Sequence, residues 1–127
     1  MTRKLAKKAR HGFTLVEIMI VVLIIGILLA IAVPNFIRAR EGSRAKACQS
    51  NLKQIESAKE QWAMDTRAAT TATPATADLA GPGKYMKSAA NCPSSGTYTN
   101  GDMATNPSCS IGNNGTATET YDDHVLP

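Results

Sequence analysis

The chain has 127 residues, a length that allows one small domain plus a short appendage. Its formal charge of +4 does not mark a nucleic-acid binder, because five of its fourteen basic residues (Arg3, Lys4, Lys7, Lys8 and Arg10) crowd the first ten positions. Past residue 12, nine basic groups meet ten acidic ones, a net charge of −1. Six aromatic residues are too few for electron transport along stacked rings.

The basic arm ends in a small residue, Gly12, and an apolar run follows at once. A secretory signal places its small-residue cleavage site after such a run, whereas here the candidate scissile bond precedes it. Residues 13–33 contain a single charge, Glu17. As a helix rising ~1.5 Å per residue they span roughly the ~30 Å of a bilayer's hydrocarbon. A charge at the centre of such a helix costs about 2.5 to 3.5 kcal/mol and less near an end, so a plain anchor would lack this carboxylate. The basic arm favours a cytoplasmic N-terminus. Arg38, Arg40, Arg44 and Lys46, with only Glu41 against them, weaken that bias from the other side.

Pro34 has no N–H to donate and crowds the preceding turn, so a bend or a loosened ladder is expected there, and Gly26 adds a second soft point. Membrane helices also tolerate both residues without consequence. From residue 35 to 65 the pattern becomes amphipathic. Ala45, Cys48, Leu52, Ile55, Ala58 and Trp62 recur at helical spacing and define one buried face, with Trp62 read as core. Residues 66–77, rich in Thr and Ala and interrupted by Pro74, read as a connecting loop. Thr with Pro, and Asn114-Gly115-Thr116, fit glycosylation signals only by composition.

The remainder is rich in turns. Asn100-Gly101 lies between the strand-like pieces Thr97-Tyr98-Thr99 and Asp102-Met103-Ala104, which predicts a tight type I′ hairpin, with residues 108–111 as a further strand. Beyond residue 65 only nine large apolar side chains occur in 62 residues, too few for an independent core. The tail therefore needs the helix face and a staple. A Cys92–Cys109 disulfide would close 16 intervening residues, and loop-closure entropy gives such a bridge roughly 3 kcal/mol. Cys48, on the apolar face, reads as a buried thiol, with a bridge to Cys92 or Cys109 as the alternative. The expected fold is α+β: a long N-terminal helix, membrane-spanning in its first half and amphipathic in its second, packed on a small antiparallel sheet with a disulfide-closed C-terminal loop. Its segments are 1–12, 13–34, 35–65 and 66–127.

No nucleophile–base pair, paired carboxylates, CxxC, HExxH or phosphate-binding glycine loop stands out, so the sequence predicts no catalytic residue and no cofactor. Asp122, Asp123 and His124 are the nearest approach to a metal set, and no metal site is predicted. The basic residues from Arg38 to Lys46 suit lipid headgroups or neighbouring subunits better than nucleic acid.

The segment Lys7-Lys8-Ala9-Arg10-His11-Gly12-Phe13-Thr14-Leu15-Val16-Glu17, followed by an apolar run and Pro34, resembles the type IV pilins and the pseudopilins of type II secretion. The likeness covers about the first 50 residues. It implies that a prepilin peptidase cuts between Gly12 and Phe13 on the cytoplasmic face and methylates the new amine of Phe13. It further implies that Glu17 is the assembly carboxylate, that Pro34 is the helix kink, and that the stretch from Gly26 to Pro34 is able to lose helicity in a filament. Pseudopilins related to the main secretion subunit often bind calcium in a C-terminal loop, but this tail lacks their acidic, glycine-spaced pattern.

The resulting expectation is a structural protein, the major subunit of a type IV pilus. Its expected partners are identical copies in a helical filament, prepilin peptidase, an inner-membrane assembly platform and, before assembly, membrane lipid. It would sit in the bacterial inner membrane as a single-pass protein and then in a fibre that crosses the periplasm or emerges outside. The alternatives are a pseudopilin of type II secretion and a membrane-tethered binding domain that does not polymerise.

Overall fold

A computed structural model describes residues 12–112 and 123–126. The basic arm, the Asn114-Gly115-Thr116 sequon, Tyr121 and Asp122 lie outside the described residues. The chain divides into two compact units, Met1–Phe36 and Ile37–Pro127. One helix, α1 (Leu15–Thr66), contributes to both.

Helix α1 starts where the local chemistry lets it. Thr14 stands just before it and its Oγ1 accepts the backbone N–H of Glu17 at 3.2 Å, satisfying one of the free donors of the first turn. Glu17 adds a negative charge where the helix dipole is positive. The helix continues through Gly26 and Pro34. It stops at Arg67, which takes φ = 50°, while the Ala68 N–H donates to Ala63 O at 3.1 Å in the six-to-one closure of a Schellman end. The predicted end at residue 65 is within one residue of this.

In the first unit every large apolar side chain from Phe13 to Phe36 is exposed, from 46% for Val21 to 80% for Phe13. At about 25 cal/mol per Å² of apolar surface, leaving so many Ile, Val and Leu side chains in water would be strongly unfavourable. A membrane or other helices must cover them.

In the second unit the predicted helix face is the core. Ala45, Cys48, Leu52, Ile55 and Ala58 are buried, and Trp62 is partly so. Cys48 and Leu52 join Cys92 and Cys109 in one cluster, with Tyr98, Ile111 and Leu126 packed against it. Ile55 and Ala58 join Leu79 in a second cluster, with Trp62, Tyr85, Met86 and Ala90 around it. The segment read as a loop contains a short helix at its end, α2 (Thr76–Leu79), started by the Ala75 N–H donating to the Asp78 carboxylate at 3.0 Å. Leu79 is 1% exposed, so this turn serves to deliver one large side chain to the core.

The small antiparallel sheet is present, with a different partner from the one expected. Strand β1 (Tyr98–Thr99) pairs with β2 (Ser108–Cys109) in the register Tyr98 to Cys109 and Thr99 to Ser108. The Asn100-Gly101 hairpin does not form: Gly101 has φ = 66° but Asn100 does not share the positive φ that a type I′ turn requires. Two interactions override the local signal. The Asp102 carboxylate accepts the Ala104 N–H at 3.1 Å and the Thr105 hydroxyl at 2.8 Å, which turns the segment meant to be the second strand. The ammonium of Lys59 then gathers three carbonyls of the same loop, Asn100 O at 2.6 Å, Asp102 O at 2.7 Å and Thr105 O at 2.8 Å.

Candidate functional site

Two places carry chemistry: the start of α1, and the region where the tail meets its second half. At the first, Gly12 and Phe13 are exposed and outside regular secondary structure just ahead of the helix, whose start Thr14 fixes. Glu17 lies in the first turn of the helix and is exposed. Among the described residues the single ion pair joins Arg44 to Glu41 at 3.4 Å, so Glu17 has no cation partner within them. No Cβ at Gly26 would meet another atom within 4 Å, so nothing in this chain explains the absence of a side chain there.

At the second place the predicted staple gives way to something else. The Cys92–Cys109 bridge is not formed: Cys48, Cys92 and Cys109 are all free thiols and all buried. They stand together with His124, one ligand atom from each lying within 4.8 Å of every other. Cys92 Sγ is 3.6 Å from His124 Nδ1. A disulfide needs its sulfurs about 2.05 Å apart, a different arrangement from four separate donors around a common centre.

Each donor comes from a different piece of chain. Cys48 is on α1, Cys109 is on β2, and Cys92 opens the turn Cys92-Pro93-Ser94-Ser95, closed by the Ser95 N–H to Cys92 O at 3.1 Å. His124 is held by its own N–H to Gly112 O at 3.0 Å, and the preceding residue by the Gln49 amide donating to Asp123 O at 3.0 Å. His124 is 3% exposed.

The surroundings treat the thiols unequally. Burial pushes Cys48 up to about 12, and the hydroxyl of Tyr98 partly opposes this. The Asn51 amide in turn donates to Tyr98 Oη at 3.1 Å, which orients that hydroxyl. Burial acts in the same upward sense on Cys92, but hydrogen bonds from the Ser94 and Gly96 backbone, together with the neighbouring Cys109 and Cys48 thiols, outweigh it and leave the thiol below its usual range. Gly96 is glycine for lack of room, since a Cβ there would lie 2.6 Å from Cys109 Sγ and 3.0 Å from Ile111 Cγ1. Gly96→Ala is therefore expected to cost about 1 to 3 kcal/mol by overpacking, seen as a lower midpoint in thermal unfolding of the detergent-solubilised chain.

Lys59 was not singled out by its sequence position, where it reads as one of the polar residues beside the apolar face. It is 3% exposed, and burial lowers its pKa against the opposing pull of Asp102 and Glu56. Its only advance signal is its place next to Ala58 at the edge of the buried stripe.

The family described as "Prokaryotic N-terminal methylation motif" matches residues 7–33. The type IV major pilin protein PilA of Myxococcus xanthus is 51% identical over 52 residues, 41% of this chain and 24% of the pilin. The competence protein ComGC of Bacillus subtilis is 37% identical over 82 residues, 65% of this chain and 80% of that protein. The type II secretion system core protein G of Aeromonas hydrophila is 34% identical over 59 residues, 46% of this chain and 41% of the relative. This chain thus spans most of ComGC but about a quarter of the Myxococcus pilin. No solved structure matches. With the methylation motif matching residues 7–33, and with the likeness to ComGC running over 82 residues and 80% of that protein, the chain belongs to the family of type IV pilins and type II secretion pseudopilins.

Proposed function

We propose that the chain is a structural subunit, the major pilin of a type IV pilus. In this reading prepilin peptidase cuts between Gly12 and Phe13, Phe13 is N-methylated, and residues 13–34 rest in the inner membrane until an assembly platform moves the subunit into a helical filament. The observation that carries it is the apolar half of α1, exposed along its whole length and bearing one acid, Glu17, near its tip. Lipid covers that surface before assembly and the helices of identical copies cover it afterwards, so the same residues serve storage and polymerisation. The 51% identity to a major pilin over 52 residues favours the reading.

Glu17 has a specific part in it. Inside a dry filament core a carboxylate and an ammonium each carry a large desolvation penalty, which pairing offsets. In the uncleaved chain Phe13 carries an amide and cannot pair. Cleavage creates an amine, and Glu17 of one subunit meeting the Phe13 amine of another selects a single axial offset. Gly26, with open space around it, and Pro34 supply the two points at which the helix can yield as neighbours close in. The chain performs no catalysis in this account.

The second reading, a pseudopilin of type II secretion, is favoured by the likeness to core protein G. Mass spectrometry of the N-terminus and electron microscopy of sheared surface material separate the possibilities. A mature chain beginning at methylated Phe13, found in long external fibres, is the expected result. The same N-terminus without external fibres would favour the pseudopilin, and an intact Met1 in membranes containing prepilin peptidase would leave only the tethered, non-polymerising domain.

A further inference from the structure

We infer that Cys48, Cys92, Cys109 and His124 form a structural zinc site that fastens the C-terminal tail to the second half of α1. The first argument is geometric. Zinc bonded to sulfur at ~2.3 Å and to imidazole nitrogen at ~2.0 Å in a tetrahedron places its sulfur and nitrogen donors about 3.6 Å apart and its sulfurs about 3.8 Å apart. The Cys92 Sγ to His124 Nδ1 separation is 3.6 Å, and all four ligand atoms fall within 4.8 Å of one another. The four residues are buried, which suits a closed structural site and leaves no open position for a substrate.

The second argument is one of number. Any single disulfide uses two of the three cysteines and leaves a buried thiol and a buried imidazole without a role. A tetrahedral metal uses all four. Three thiolates with one imidazole select zinc among common divalent ions, because calcium and magnesium take oxygen ligands and iron–sulfur clusters ordinarily take four cysteines.

A third argument concerns what surrounds the donors. Metal-bound thiolates are held by hydrogen-bond donors around them. Here Tyr98, its hydroxyl oriented by the Asn51 amide, packs against the cluster that holds Cys48, Cys92 and Cys109.

Binding releases three thiol protons to solvent, leaves His124 neutral, and gives a site of net charge −1 with no change of oxidation state. Its consequence is a cross-link among four segments whose ligands are separated by 43, 16 and 14 residues. That cross-link replaces the core which nine large apolar residues in 62 cannot supply.

The test uses the full chain, purified in detergent without chelators. Elemental analysis is expected to find about one zinc per chain. After chelation, cobalt(II) should restore binding with the intense visible bands of a tetrahedral, thiolate-ligated ion, a readout that requires no variant. Cys48→Ser and His124→Ala should each reduce zinc to background, and zinc binding should release protons. A Cys92–Cys109 bridge predicts the opposite: an intact mass lower by two hydrogens, no cobalt bands, and indifference to Cys48→Ser. That result, octahedral cobalt, or either variant retaining wild-type zinc would overturn the site. None of these outcomes depends on whether the chain polymerises.

Discussion

Replacing Glu17 by Ala should leave Gly12–Phe13 cleavage, Phe13 methylation and membrane insertion intact and should abolish filaments. The substitution lengthens the apolar run, so the membrane accepts it more easily than the wild type. What it removes is the partner of a neighbour's amine. Taking away one member of a buried ion pair costs about 3 to 5 kcal/mol, because the remaining charge is left without compensation. At 1.4 kcal/mol per factor of ten, even the lower figure weakens addition of each subunit by roughly two orders of magnitude. Sheared material should therefore contain no fibres by microscopy, while the cell membranes hold a processed, methylated subunit by mass spectrometry. Wild-type fibre density from this variant would leave Glu17 with its exposed place in the first turn of α1 and no function in assembly.

The Lys59→Met substitution should produce a large loss of stability in the second unit. Methionine approximates the length and fills the space, so the change isolates the ammonium. All three donors of that ammonium are used, on Asn100, Asp102 and Thr105 carbonyls between 2.6 and 2.8 Å. Each buried acceptor left without a donor costs about 1 to 3 kcal/mol, and a loop partly in contact with water recovers some of it, which gives a net loss of about 3 kcal/mol. For a unit of this size 1 kcal/mol corresponds to about 4 to 8 °C, so the midpoint should fall by about 15 °C in a circular-dichroism melt of the solubilised chain. A shift of only a degree or two would mean that water replaces the ammonium at all three carbonyls.

The two substitutions probe opposite uses of a charge. Glu17 lies exposed in the single chain and acquires its energetic weight only when copies meet. Lys59 is buried already and shapes the loop between β1 and β2, against the local preference of Asn100-Gly101 for a hairpin. Within that loop Asp102 has its own pull on the chain: its hydrogen bond from the Thr105 hydroxyl, together with those from the Thr105 and Ala104 backbone and the nearby Lys59 charge, holds its carboxyl below the ordinary range.

Patterns confined to neighbouring residues were legible in the sequence. The apolar run with its lone acid, the helical stripe from Ala45 to Ala58, and the stop expected near residue 65 follow from a 3.6-residue period and from the change of composition after Asp65. None of these needs knowledge of a distant residue. The pairing of β1 with β2, the burial of Lys59 and the gathering of three thiols around His124 depend on segments far apart in the chain meeting on one face of α1. Two-residue strands carry too little side-chain alternation to fix their own register. A cysteine's spacing likewise does not reveal whether a histidine will arrive beside it. Local physics thus determined the long helix and its two kinds of surface. Tertiary packing decided how the tail wraps on it, because only there do three loop carbonyls reach Lys59 and Cys48, Cys109 and His124 gather beside Cys92.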